Sequence, residues 1–204
     1  MAVSTESSDS RRPVPDKRVG ILAAALRVFS ERGVNGVAVP EIASAAGVAT
    51  GTIYRYFESK EALVNELYRQ EKAALHEYLY GGLDRDREPR AVFDEVWDRM
   101  VRYARERPEV YRFIELQDHQ SYLDEESLAL QRRMLLPMVN RVKAMQGRGV
   151  YRKDVRDRVL IAMGWGAFVN LLKVEREGLL TLRRKDLLAA RELCWQLYTG
   201  ECPG

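Results

Sequence analysis

The chain has 204 residues, 46% of them hydrophobic and 31% charged, with a formal net charge of +3, which is enough for one generous hydrophobic core or two modest ones. No apolar run approaches the ~20 residues that span a bilayer, and the polar start MAVSTESSDSRRPVP carries no apolar stretch of the secretory kind, so a cytoplasmic protein without a membrane partner is expected. The two cysteines, Cys194 and Cys202, make no disulfide framework, and reduced thiols are expected.

Residues 1–16, rich in Ser, Pro and charge, bury too little surface to order themselves and are expected to form a disordered arm. Helical periodicity then begins. Val19, Leu22, Ala25, Leu26 and Phe29 recur at one-turn spacing, and Gly33 supplies a residue tolerant of the left-handed conformation at the end of that helix. A second short helix is predicted from Pro40 to Gly47, with Glu41 near its positive end. A third runs from Thr50 to Phe57. A fourth follows the N-cap Ser59 and reaches Tyr80, where GGLDRDREP breaks the pattern. Five more fall near 89–106, 108–118, 124–146, 154–177 and 183–199, with Pro137 expected to kink rather than end the third of these. The fold class is therefore all-α, about nine helices, with a basic front module joined through helix four to a larger helical body.

Between residues 11 and 60 stand eight Lys or Arg against four Asp or Glu. This excess reads either as a solvated basic face or as an electrostatic footprint for phosphate. In EIASAAGVATGTI, Ile42, Ala43, Ala46, Gly47, Val48 and Ile53 supply what two closely crossing short helices need: a small residue at the contact, a turn residue that accepts positive φ, and apolar plugs on either side. That is the pattern of a helix-turn-helix, although any two packed helices could show it. The next residues favour the former. Thr50, Gly51, Thr52, Tyr54, Arg55 and Tyr56 crowd a two-turn helix whose buried side Ile53 and Phe57 already fill. Hydroxyls, phenols and a guanidinium facing outward suit phosphates and base edges. Lys60, in the first turn of helix four, conflicts with the helix dipole unless an anionic partner is near.

The stretch VGILAAALRVFSERGVNGVAVPEIASAAGVATGTIYRYFESKEALVNELYRQ, and within it LRVFSERG, IASAAGV and GTIYRYFESKEAL, resembles the DNA-binding domain of the tetracycline-repressor (TetR) family of bacterial transcription regulators. The resemblance implies a helix-turn-helix domain over 17–63, with helix four (60–80) leading into a ligand-binding and dimerisation domain over 64–204. It also implies that Thr50, Gly51, Thr52, Tyr54, Arg55 and Tyr56 contact operator DNA and that Lys60 contacts a phosphate. Two departures stand out. Ala38 and Ala49 occupy positions where the family often has capping hydroxyls, and Pro40 stands where some relatives place a base-reading cation. Arg11, Arg12, Lys17 and Arg18 of the arm could supply contacts instead.

In the body, Gly164 and Gly166 beside Trp165 and Phe168, together with Leu187, Ala190, Cys194, Leu197 and Tyr198, suit either a four-helix dimer interface, as the resemblance implies, or an intrachain core. Trp97, Met100, Val101, Tyr103, Phe113, Leu116, Gln117, His119, Met134 and Met138 could line an adaptable pocket or simply form core. Glu115 and His119, one turn apart with Asp118 adjacent, have a spacing that can chelate a metal, but a lone histidine favours a pocket-edge or solvated polar cluster, and neither metal nor cofactor is expected. The functional expectation is a homodimeric repressor released from a pseudo-palindromic DNA operator by a small, largely apolar effector. The alternatives are an architectural DNA-binding protein without ligand response and a helical enzyme.

Overall fold

The computed structural model describes residues 16–116, 119 and 121–200. Among the described residues the chain forms nine α-helices: α1 (Lys17–Arg32), α2 (Val39–Ala45), α3 (Thr50–Tyr56), α4 (Lys60–Tyr80), α5 (Pro89–Glu106), α6 (Pro108–Glu115), α7 (Glu125–Gly147), α8 (Asp157–Arg176) and α9 (Arg184–Thr199). Residues 1–15 of the arm expected at the N-terminus, and Cys202, lie outside the described residues, whereas Asp16, Lys17 and Arg18 belong to the start of α1.

The helix ends follow from local chemistry. Asp16 accepts from the Arg18 amide at 2.9 Å to open α1, and Ser59 Oγ accepts from the Ala62 amide at 3.0 Å to open α4. At the other end of α4, one Arg99 nitrogen donates to the carbonyls of Tyr78, Leu79 and Gly81 at 3.3, 3.2 and 2.9 Å, neutralising the negative end of a long helix with a cation. Helix α7 runs through Pro137 without a break. Helix α6 stops at Glu115, short of the expected residue 118. A turn forms farther on, where the His119 carbonyl accepts from the amides of Tyr122 and Leu123 at 2.8 and 3.1 Å.

One hydrophobic cluster runs from Ile21, Phe29, Ile53 and Phe57 through Leu63 and Leu67 of α4 to Trp97, Tyr103, Phe113, Phe168 and Cys194. The front module is thus packed continuously onto the body. The principal junction is α1 on α6, where the Phe29 and Phe113 rings stack at 6.2 Å between centroids. A second cluster of Val139, Val142, Met145, Tyr151, Leu160, Ile161 and Trp195 holds α7, α8 and α9 together. Asn65 of α4 ties these parts to the front: its amide donates to the Tyr122 carbonyl at 2.7 Å and its oxygen accepts from the Asp124 amide at 2.9 Å. Together with Arg69, which donates to Asp124 and Ser127 at 3.0 and 3.1 Å, this buried side chain sets where α7 begins relative to α4.

Candidate DNA-binding surface and ligand cavity

Helix α2 ends in a tight reversal. Gly47 adopts φ +66°, its amide donates to Ser44 O at 3.1 Å, and the Val48 amide donates to Ala43 O at 3.0 Å. This pair of bonds is the Schellman closure, which only a residue comfortable at positive φ permits cheaply. The turn fixes the angle at which α3 leaves α2. Ile53 and Phe57 then anchor α3 in the core, and the opposite side is left bare: Tyr54 is 54% and Tyr56 37% exposed, with Gly51 and Arg55 exposed beside them. Thr50 and Thr52 are half-buried, so their hydroxyls sit at the edge of this surface rather than at its crest.

The two alanine N-caps have different consequences. At Ala38 no side chain caps the first-turn amides of α2, but the Glu41 carboxylate reaches back to accept from the Ala38 amide at 2.9 Å and pairs with Arg32; the amide first, then the guanidinium, hold the Glu41 carboxyl below its ordinary value. At Ala49 no side chain caps α3. Lys60 donates its ammonium to the Val37 carbonyl at 2.7 Å, so the dipole conflict expected at this position is met inside the chain. Arg27 of α1 donates to the Ala45 carbonyl at 3.1 Å, supporting the C-terminal end of α2.

In the body, a cavity of about 130 Å³ opens between α4, α5, α7, α8 and α9, and a second lobe of about 290 Å³ adjoins it. The two share His76, Tyr80, Met134, Met138, Ile161 and Trp165. Of the residues expected to meet a ligand, Trp97, Met100, Met134 and Met138 line this space. Tyr103, Phe113, Leu116 and His119 do not line it, and Gln117 lies outside the described residues. Phe113 is turned toward α1, where it meets Phe29 and the His119 ring at 4.7 Å; His119 also packs edge-on against Tyr68 at 5.5 Å and bonds to the Phe113 carbonyl. Tyr103 packs against Tyr78 at 5.1 Å.

Several of the cavity's walls escaped the sequence reading. Tyr80, Phe93 and Tyr198 supply aromatic surface, Pro137 lies on the α7 side, and His76, Arg85 and Arg141 supply polar groups. Burial pushes the Tyr80 phenol up to about 12 and, with the nearby Arg85 charge second, holds the His76 imidazole below its usual value. Both are therefore neutral groups at neutral pH. The signal that could have found these residues is faint: an arginine in the break after α4, and methionines bracketing a mid-helix proline.

The partners described for Glu115 differ from those of His119. The Glu115 carboxylate, with its side chain only 6% exposed, pairs with Lys72 of α4 at 2.6 Å and accepts from Trp165 Nε1 of α8 at 2.9 Å. Among the described residues no group of three His, Cys, Asp or Glu is arranged to hold a metal.

The residues proposed for dimerisation divide. Gly164, Phe168, Leu187 and Cys194 are buried within the protomer, and Gly164 and Cys194 line the cavity. The glycine serves close approach inside the chain: a Cβ at 164 would stand 2.5 Å from Tyr198 Oη. Trp165 and Leu197 are half-buried. The free face of α8 carries Ala162, Met163, Gly166 and Ala167 instead, and that of α9 carries Ala189 and Leu193, with Met163 53% and Leu193 66% exposed.

Comparison with known proteins agrees with this geometry. Residues 21–67 match the model of "Bacterial regulatory proteins, tetR family", and residues 70–198 match "Tetracyclin repressor-like, C-terminal domain". The HTH-type transcriptional repressor KstR2 of Rhodococcus jostii is 42% identical over 53 residues, which is 26% of this chain and 26% of that protein; the match spans about a quarter of the relative's length. Two solved structures cover nearly the whole chain. A putative TetR-family transcriptional regulator from Vibrio parahaemolyticus superposes with a TM-score of 0.72 at 27% identity, covering 90% of this chain and 98% of its own. The regulator FadR from Bacillus subtilis, solved in complex with stearoyl-CoA, gives 0.67 at 21% identity, covering 90% and 99%; at that identity it speaks for the fold alone. With family models covering both the helix-turn-helix and the helical body, the chain belongs to the TetR family of bacterial regulatory proteins.

Proposed function

We propose that the chain acts as a homodimeric, sequence-specific DNA-binding repressor that a small, largely apolar effector releases from a pseudo-palindromic operator. The observation that carries this reading is the bare face of α3, where Tyr54, Arg55 and Tyr56 project from a helix pinned by Ile53 and Phe57. A rigid platform that presents phenols and a guanidinium fits major-groove readout, with Gly51 permitting close approach and Thr50, Thr52 and Lys60 reaching backbone or base edges. Two such helices ~34–36 Å apart would read two half-sites. The exposed apolar residues of α8 and α9, Met163 and Leu193 among them, support dimerisation there, as unpartnered apolar surface with small residues lets helices of a second copy approach.

The cavity favours ligand response over a purely architectural role. Its wall residue Trp165 bonds Glu115 of α6, and α6 carries the Phe113 that stacks on Phe29 of α1. An occupant that moves Trp165 thus acts on the helix supporting the front module. The FadR structure with stearoyl-CoA lends this reading a precedent in fold. A protein acting on DNA in this way works in the cytoplasm, and no described helix is long and apolar enough to cross a membrane.

The test is selection of bound sequences from random DNA with the purified chain, followed by a screen for compounds that release the selected duplex. An enriched sequence with two-fold symmetry supports the reading. Binding without sequence enrichment would refute it in favour of an architectural protein. Compounds that release DNA should also raise the melting temperature by mass action.

A further inference from the structure

The charges around the cavity are as informative as its apolar walls. Among the described residues that line either lobe there is no Asp or Glu; the charged ones are Arg85 and Arg141 in the first lobe and Lys72 and Arg158 in the second. Lys72 is neutralised by Glu115 at 2.6 Å. Arg85 and Arg141 have no carboxylate partner among the described residues, and the two are tied together, since the Arg141 guanidinium donates to the Arg85 carbonyl at 3.0 Å. Their charge is felt at the cavity wall: Arg85 opposes the burial-driven rise of the Tyr80 phenol more strongly than the Glu115 carboxylate adds to it, and Arg141 opposes the rise of Tyr151. Two guanidiniums on the rim of an apolar space repel a cationic guest and offer planar, bidentate donors to an oxyanion.

We propose that the effector is an amphipathic anion, an apolar chain or ring ending in a carboxylate, whose apolar body rests against Trp97, Met100, Met134 and Met138 while its carboxylate is held by Arg85 and Arg141. This rests on the reading of the cavity as the effector site. A neutral compound of the same shape gains only the burial of its apolar surface, and an amine gains that burial against a repulsive rim.

Titration calorimetry on the whole chain with octanoate, octanol and octylamine at neutral pH and low salt separates the cases. Octanoate should bind about tenfold or more tightly than octanol, the equivalent of one charge-assisted hydrogen bond, and octylamine more weakly than either. The Arg85→Gln/Arg141→Gln double variant should bring octanoate close to octanol while leaving octanol binding and the melting temperature unchanged. Equal affinity of octanoate and octanol for the unaltered chain overturns the anionic assignment and leaves the cavity reading standing. Undiminished octanoate binding by the double variant also overturns it. Failure of all three probes to bind a chain that still binds its DNA overturns the cavity reading as well.

Discussion

Replacing Gly164 with alanine adds one methyl group at the point where α8 leans on α9. That Cβ would stand 2.5 Å from Tyr198 Oη, 2.8 Å from its Cε2 and 2.9 Å from its Cζ, well inside the ~3.5–4.0 Å of favourable contact. The ring has little room to yield, because Tyr151 and Phe93 flank it at 5.1 and 6.0 Å. Overpacking of this kind costs about 1–3 kcal/mol, and alanine returns about 0.5–1 kcal/mol of helix propensity. The net loss is on the order of 0.5–2 kcal/mol, or roughly 1–8 °C in Tm for a chain of this size. Thermal melting at fixed protein concentration, paired with sedimentation velocity, reads both quantities. The proposed dimer is expected to persist, because Gly164 faces α9 of its own chain. In a Tyr198→Leu background, with the ring gone, Gly164→Ala should become stabilising. A higher Tm in the unaltered background, or monomers without loss of Tm, would refute the packing argument and return Gly164 to the interface between protomers.

Three further perturbations probe other parts of the molecule. Tyr54→Ala removes an exposed ring and should shift stability by no more than about 0.5 kcal/mol while weakening operator binding by about tenfold, close to 1.4 kcal/mol; fluorescence anisotropy showing unchanged operator affinity would exclude it from readout. Lys60→Met should lower the slope of log affinity against log salt by about one per protomer; a lower Tm with an unchanged slope would mean that the lysine serves Val37 alone. Glu71 is buried, and burial raises its carboxyl above 4.5, with Arg107 only partly opposing this. The folded state therefore binds its proton more tightly than the unfolded chain, and the stability this lends is lost as pH rises through the folded value. Glu71→Gln should raise Tm near neutral pH and change it little below 4.5; a lower Tm at neutral pH would show that the Arg107 pairing outweighs burial.

The front module was legible because its determinants are local. Gly47 needs positive φ, Ile53 and Phe57 are one turn apart, and the polar crowd between them has only one direction to face. The body was less legible for two physical reasons. Helix α8 is apolar on both sides, with Ile161, Gly164 and Phe168 inward and Ala162, Met163, Gly166 and Ala167 outward, so no polar stripe says which side meets the chain's own α9. Periodicity also reports burial without reporting voids. Trp97 and Phe113 look alike in sequence, yet one borders a space left by five helices and the other fills the seam with α1. His76 reaches the cavity from α4, Arg85 from the connection between α4 and α5, and Arg141 from α7, a convergence that no local pattern encodes.

Under the proposed ligand response, the same geometry bounds how the cavity and the candidate DNA-binding surface can communicate. Helix α6 is eight residues long. At its C-terminal end Glu115 is held by Lys72 and Trp165, and Phe113, two positions earlier, stacks on Phe29 of α1. Val110, Tyr111, Phe113 and Ile114 are buried, so the helix has little freedom to absorb a displacement by bending and transmits it as a rigid piece. A hydrogen bond to a charged group contributes about 1.5–3 kcal/mol, and useful induction needs a coupling of about 1–3 kcal/mol between effector and operator. An effector that draws the Trp165 indole from Glu115 thus disturbs an interaction of the required size, without unfolding any element. The Lys72 pair would remain to hold Glu115 to α4, so the expected response is a shift of α6 against α1 rather than its release.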